Sequence, residues 1–458
     1  MAFAILARTA HIPNVVLHTQ KKMEDNIEYE TLGYYEPGFM HLRVNTDYDI
    51  RDLNKIFKDE KYKKEASTFL HEYIHFLQDI TTTTGLTLGD FYVDFIKDFN
   101  WKIRRDKNND FNVPVSIDNE FNSQTKIKLK EIYKGASKEV SYVKYERYEK
   151  VSTEIKDKDN NIIKPERYKV HYLDTQRREQ NSFYFGYACL KEQIAHSIQN
   201  KYFENNGHPD IPYQIAEQII KTEYPDFGSN YKFIVALCDS SLMSFHPAQM
   251  FFNTIKKMKE KAFKPKNCAE IYEFAFKDLT FNGEMGNFTV ETLFNRTSTN
   301  TYTQYFDALN TPIFQDILEW LKFVLEEAQK IRINNPDFIT KLLDEDGNLS
   351  NVFYDVFSKL GTPFFTNNKH IGGYVPPRNL SNVNDRPFQT LVFKEVLSVY
   401  FGKKECSMID FCKLSPEKEM VNTNCRTAPW EKVNEKDLCP FAQLWKTWGL
   451  KDKKPVHK

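Results

Sequence analysis

Residues 71 to 75 read His-Glu-Tyr-Ile-His. Two histidines four apart on a helix are separated by just over one turn, so both imidazoles reach the same side and can hold one ion. The glutamate after the first is turned by about a hundred degrees from His71, which sets it beside that ion and not on it. There Glu72 can act as general base, taking a proton from water and passing it to a leaving amine. A zinc ion would acidify that water to a pKa of about 7 and polarise a scissile carbonyl. His71 and His75 are therefore candidate metal ligands, and Glu72 the candidate catalytic residue. The plainer alternative is a pair of satisfied histidines on an ordinary helix.

A catalytic zinc takes three protein ligands and keeps one position open. The stretch FYFGYACLKEQIAHSIQNKY (183–202) offers the third. On a helix, the face of Glu192 also carries Ala188, Cys189, Ala195, His196 and Gln199. A carboxylate among small and apolar residues is costly to bury alone, and a metal ion is one partner that offsets the cost. Ala188 and Ala195 would let this helix approach the first closely. His71-Glu72-x-x-His75 followed by Glu192-x-x-Ala195 resembles the gluzincin zinc metallopeptidases. The resemblance covers these two helices and the strand before them.

The resemblance implies a zincin-like catalytic body, a zinc cofactor, and a protein or peptide substrate. It implies that His71, His75 and Glu192 are ligands and that Glu72 is the base. The chain departs from the family where members often carry an aspartate four residues after the ligand glutamate. Here that position is His196, read either as a hydrogen-bonding support of the site or as the third ligand of a three-histidine centre. Such enzymes often bind substrate as an added strand against the strand preceding the active helix, a role that falls to residues 41–45. An oxyanion donor is also needed, and His246, His370, Tyr374 and Arg378 are the candidates.

The elements that must position these residues are legible in part. Leu70, Tyr73, Ile74, Leu77 and Ile80 recur at three- and four-residue steps, which predicts an amphipathic helix with that ridge on the core. Residues 38–50 alternate, with Met40, Leu42 and Val44 inward against His41, Arg43 and Asn45 outward, as in a strand. Residues 100–174 are rich in Tyr and Val and read as a β-rich insertion. Helical patterns dominate from 176 to 360, including 314–333, and 362–378 reads as a Gly/Pro-punctuated loop. Residues 344–351 lack the oxygen ligands of a calcium loop and read as a turn. The expected fold is α+β, with a mainly helical catalytic body bearing a small antiparallel sheet. That body is split into 1–99 and 175–400 around the insertion 100–174. A Cys-rich module, 401–458, follows.

That last segment holds Cys406, Cys412, Cys425 and Cys439. It is too short to build much core alone, so a staple is expected. A four-thiolate structural zinc is the first reading, although no C-x2-C pair is present. An iron–sulfur cluster is the second, because Pro440 follows the last cysteine. Free or disulfide-bonded thiols are the third. Cys189, Cys238 and Cys268 read as small buried hydrophobes.

The composition excludes some classes. Lys+Arg and Asp+Glu number 63 each, so nucleic acid is a poor partner for the chain as a whole. No apolar run approaches the roughly 18 residues of a membrane-spanning helix. The N-terminal MAFAILARTAHIPNVV has no basic leader or cleavage signature, and seven cysteines in such a chain suggest reduced thiols. The reading is a cytoplasmic zinc metallopeptidase restrained by a narrow substrate, a trigger or a regulatory partner. An intracellular role in bacterial regulation or defence is an analogy only. The competing class is a non-catalytic interaction or sensor protein that keeps the zinc helices as scaffold. A nucleic-acid effector acting through the tail is a third.

Overall fold

The computed structural model describes residues 32–457, apart from 117–121, 136–137, 158, 204–206, 278, 284–285, 345–348 and 381–387. The N-terminal stretch 1–16 and the middle of the 344–351 turn lie outside the described residues. The chain begins with strands β1 (Gly33–Glu36) and β2 (His41–Val44), then helices α1 (Leu53–Lys58), α2 (Lys63–Thr81) and α3 (Thr83–Arg105). Strand β3 (Asp110–Val113), helix α4 (Asn122–Lys134), strand β4 (Val143–Ser152) and helix α5 (Tyr187–Tyr202) follow. The architecture is mixed α+β and mainly helical, with small sheets.

Helix α2 lies at the centre. Its apolar ridge is in the core as expected, with Leu70, Tyr73, Ile74 and Leu77 fully buried. The amphipathic expectation fails on the opposite side, because every residue from Glu65 to Thr81 is buried. Ser67, Thr68, His71, Glu72, His75, Gln78 and Asp79 form a polar stripe that meets other protein elements instead of water. A buried polar stripe needs partners of its own, and these partners make the site.

The sheet beside α2 has the order β1, β2, Phe364–Thr366, Gly372–Gly373. β1 and β2 are antiparallel, whereas Phe364–Thr366 pairs with β2 in parallel, so the sheet is mixed and not antiparallel as expected. Two strands thus come from 362–378, expected to be a loop; Phe364 and Phe365 bury their rings and recruit this stretch to the sheet. With neighbours on both sides, β2 is an interior strand. The expectation that 41–45 forms the free edge is therefore corrected: the edge nearest the N-terminus is β1. The same covering buries His41, which was expected to point outward. Its Nδ1 lies 2.8 Å from Glu36 Oε2 and its Nε2 2.8 Å from Thr366 Oγ1.

The β-rich segment is real but displaced. Helix α3 continues to Arg105 and α4 falls inside the predicted insertion. β4 pairs antiparallel with Glu166–Asp174, which pairs with Glu179–Phe185, beyond the predicted limit of 174. This last strand passes through Gly186 into α5. A Cβ on Gly186 would sit 2.2 Å from the Tyr133 carbonyl oxygen, so the joint that aims α5 depends on the missing side chain.

The tail shares the main core. Trp445 is fully buried against Phe111 and Tyr400, and the Trp448 indole N–H donates to the Ala308 carbonyl at 2.7 Å. Residues Lys454–His457 pair in parallel with β3. The predicted helix at 314–333 is present as Gln315–Asn334. Cys189 and Cys238 are buried as expected, while Cys268 is only half-buried. Among the described residues, no helix is long and apolar enough to cross a membrane.

Candidate metal centre

α2 and α5 pack along each other and are tied at several points. Gln78 donates to the Lys191 carbonyl at 3.0 Å, and Gln199 donates to the Ser67 carbonyl at 3.1 Å and hydroxyl at 2.9 Å. The Lys191 ammonium donates to Asp79 Oδ1 at 2.6 Å, with both groups buried. Burial raises the Asp79 carboxyl's pKa, and Lys191 opposes that rise. Removing the cation would strand a buried carboxylate, which costs about 3–5 kcal/mol. Lys191→Ala is expected to lose that much in urea titrations, and adding Asp79→Leu to restore most of it. A single-variant loss below 1 kcal/mol would show the pair to be ornamental.

Within this frame His71, His75 and Glu192 converge, with one donor atom from each within 4.8 Å of the others. His71 Nε2 lies 3.1 Å and His75 Nε2 3.3 Å from Glu192 Oε2, and the two Nε2 atoms are 3.2 Å apart. The glutamines decide what these atoms carry. Each spends its amide N–H groups on a backbone carbonyl, so its Oε1 must accept. Gln199 Oε1 is 3.0 Å from His71 Nδ1, and Gln78 Oε1 is 2.9 Å from His75 Nδ1. Both Nδ1 atoms are therefore the protonated ones, and both Nε2 lone pairs face the carboxylate. Three acceptors at such spacing repel one another. One shared proton relieves one contact and leaves the others, whereas a cation satisfies all three. Nitrogen and oxygen ligands at about 2.0–2.1 Å from a tetrahedral zinc stand roughly 3.3 Å apart, which is the spacing present.

Burial opposes charge on Glu192, and positive charge opposite it, carried by protonated His75 and His71 or by a cation in place of their protons, holds its carboxyl well below the usual carboxylate range. Glu72 behaves differently. It is fully buried, and both carboxylate oxygens lack a hydrogen-bond partner among the described groups. Burial, aided by Glu192 and opposed by His71, pushes its pKa up to about 8. β1 lies directly over it. A Cβ on Gly33 would stand 2.5 Å from Thr68 Cγ2 and 3.4 Å from Glu72 Cγ, so only glycine lets the strand approach this closely.

A cover closes the centre. His208 and Tyr213 stack at 4.4 Å between ring centroids, and their rings lie 5.5 and 6.0 Å from the His71 ring. The segment is fastened by two backbone hydrogen bonds between Val140 and Ile211, at 3.1 and 2.9 Å. Next to Val140, burial with help from Glu192 pushes the Glu139 carboxyl up to about 7.

His196 lies outside the group of three donors. Its Nδ1 is 2.7 Å from His208 Nδ1 and its Nε2 2.9 Å from Asn200 Nδ2, and burial lowers its pKa to about 4. The supporting role expected of His196 belongs to Gln199 and Gln78. Gln199 follows Glu192 by seven residues, two full turns, and so returns to the same side more closely than His196 does. The expected oxyanion donors are elsewhere. His246 caps a helix by accepting from the Gln249 N–H and reaches the Glu166 carbonyl. Tyr374 follows the opposite edge of the sheet and packs on Trp320. His370 sits in a turn with φ of 58°, and Arg378 is exposed.

Compared with known proteins, the chain matches no family model, no curated protein and no solved structure. What the centre can do rests on its own geometry.

Proposed function

We propose that this chain is a zinc-dependent metallopeptidase with His71, His75 and Glu192 as ligands and Glu72 as general base. One observation supports it above the rest: three lone-pair donors stand at zinc-ligand spacing, with a second carboxylate, Glu72, beside them that none of them hydrogen-bonds. A zinc held there would supply Lewis acidity toward a scissile carbonyl and an acidified water. The chain's own residues do the remainder. Gln199 and Gln78 fix both imidazoles in the tautomer that presents Nε2. Glu72, in a dry setting with a raised pKa, is suited to accept a proton and release it to a leaving amine. β1 has no strand on its outer side among the described residues, which suits an extended peptide added beside Glu72. On the cover, His208, whose Nε2 is buried without a hydrogen-bond partner among the described groups, is the polar group placed to meet a developing oxyanion.

Burial of all four residues bears on regulation. A peptide reaches these residues only after neighbouring segments move, which supports a peptidase held in check by its substrate or a trigger. The same burial also favours a second reading, a metal-stabilised scaffold without turnover. Elemental analysis of the purified chain is expected to find zinc that the double variant His71→Ala/His75→Ala loses, and cleavage of unfolded protein substrates that a chelator abolishes. Zinc without cleavage would favour the scaffold. A metal content unchanged by the double variant would overturn both.

A further inference from the structure

Cys406, Cys412, Cys425 and Cys439 come from separate short segments, yet all four line one cavity of about 30 Å³. Its other walls are largely apolar, including Val392, Met408, Ile409 and Phe441. None of the four forms a disulfide. Four unpaired thiols brought from separate segments into one small, largely apolar hollow are a donor set suited to a metal centre.

The spacing then separates the two metal centres that four cysteines can make. Sulfurs around a tetrahedral zinc at about 2.3 Å stand roughly 3.8 Å apart. No three of these four sulfurs come within 4.8 Å of one another. An iron–sulfur cluster requires the wider arrangement, because its own irons and sulfides lie between the cysteine ligands. Two further features suit the anionic centre that such a cluster forms. Lys432 lines the cavity with its ammonium fully buried, held by the Met420 carbonyl at 2.6 Å and by Glu435 Oε2 at 2.7 Å. Backbone N–H groups of Met408, Phe441 and Ala442 point toward the sulfurs of Cys406 and Cys439, as amides do around cluster thiolates. We propose that these four cysteines ligate an iron–sulfur cluster that staples the C-terminal segment.

The staple has a mechanical rationale. Between Cys406 and Cys439 the chain holds only short helical turns, and the cluster would fix them where Trp445 and Trp448 meet the main core. The proposal goes beyond the peptidase reading and does not rest on it.

The test uses the full chain, purified without oxygen and then incubated with ferric iron, a thiol reductant and sulfide, so that the iron supplies the oxidising equivalents the cluster needs. Expected are a brown protein with about two or four irons per chain, matching acid-labile sulfide, and a visible absorption band bleached by reductant. Cys406→Ser, Cys412→Ser, Cys425→Ser and Cys439→Ser should each remove most of the iron and colour, while the half-buried Cys268→Ser should keep both. Near-ultraviolet circular dichroism reports whether each variant is folded, and zinc at the His71 centre is measured in the same samples. Because its loss in His71→Ala/His75→Ala should leave the iron untouched, the two readings fail separately. Zinc and no iron bound by the four cysteines, or no metal lost in any of the four variants, would overturn the proposal.

Discussion

Glu72→Gln is expected to keep its metal and lower peptide hydrolysis at least about a hundredfold, the usual scale for a lost general base. Glutamine has the shape of glutamate and fits where Gly33 leaves room, so β1 and α2 keep their places. It cannot take a proton. The ligands are held from elsewhere, by Gln199, Gln78 and the α2–α5 contacts, so the metal site does not sense the change. Turnover of the same substrate at the parental rate would sink the proposed mechanism, whereas loss of metal would reassign Glu72 to the ligand set.

The histidine pair and its glutamate were legible because they depend only on helical spacing, and α2 formed where the apolar steps placed it. Its surroundings were not legible. Periodicity distinguishes an apolar from a polar face, but it cannot tell a polar face in water from one pressed against a partner far along the chain. Glu192 could be read as exposed beside Lys191, yet Lys191 is itself buried on Asp79. The same blindness put β2 at an edge, since its parallel neighbour Phe364–Thr366 lies more than three hundred residues downstream in a stretch that Gly and Pro mark as a loop. His208 and Tyr213 left almost no trace. HPDIPY looks like any Pro-punctuated turn, and only the fold brings it over His71. The four tail cysteines could be counted, but their spacing along the chain did not reveal that they line one cavity.

Glu192→Gln is expected to empty the centre. Glutamine retains an oxygen at nearly the same position but loses the negative charge, and the two neutral imidazoles opposite then hold a divalent cation alone. The affinity for zinc, read by competition with a chromophoric chelator, should fall at least about a hundredfold, and activity should vanish with it. The fold should survive. α5 stays tied to α2 by Lys191 to Asp79, Gln78 to the Lys191 carbonyl and Gln199 to Ser67, none of which involves the carboxylate. In the variant without metal, the repulsion among three acceptors is also relieved, since an amide N–H can donate to either Nε2. Two companions make the result specific. Gln199→Leu frees the His71 ring and leaves its Nδ1–H without an acceptor, so zinc affinity should fall by about ten- to a hundredfold. His196→Ala should change it little, because His196 engages His208 and Asn200 and none of the three ligands. The order Glu192→Gln, then Gln199→Leu, then His196→Ala is what this centre requires. If His196→Ala empties it while Glu192→Gln retains zinc and turns over, the metal is held by three histidines and the carboxylate beside them has another task.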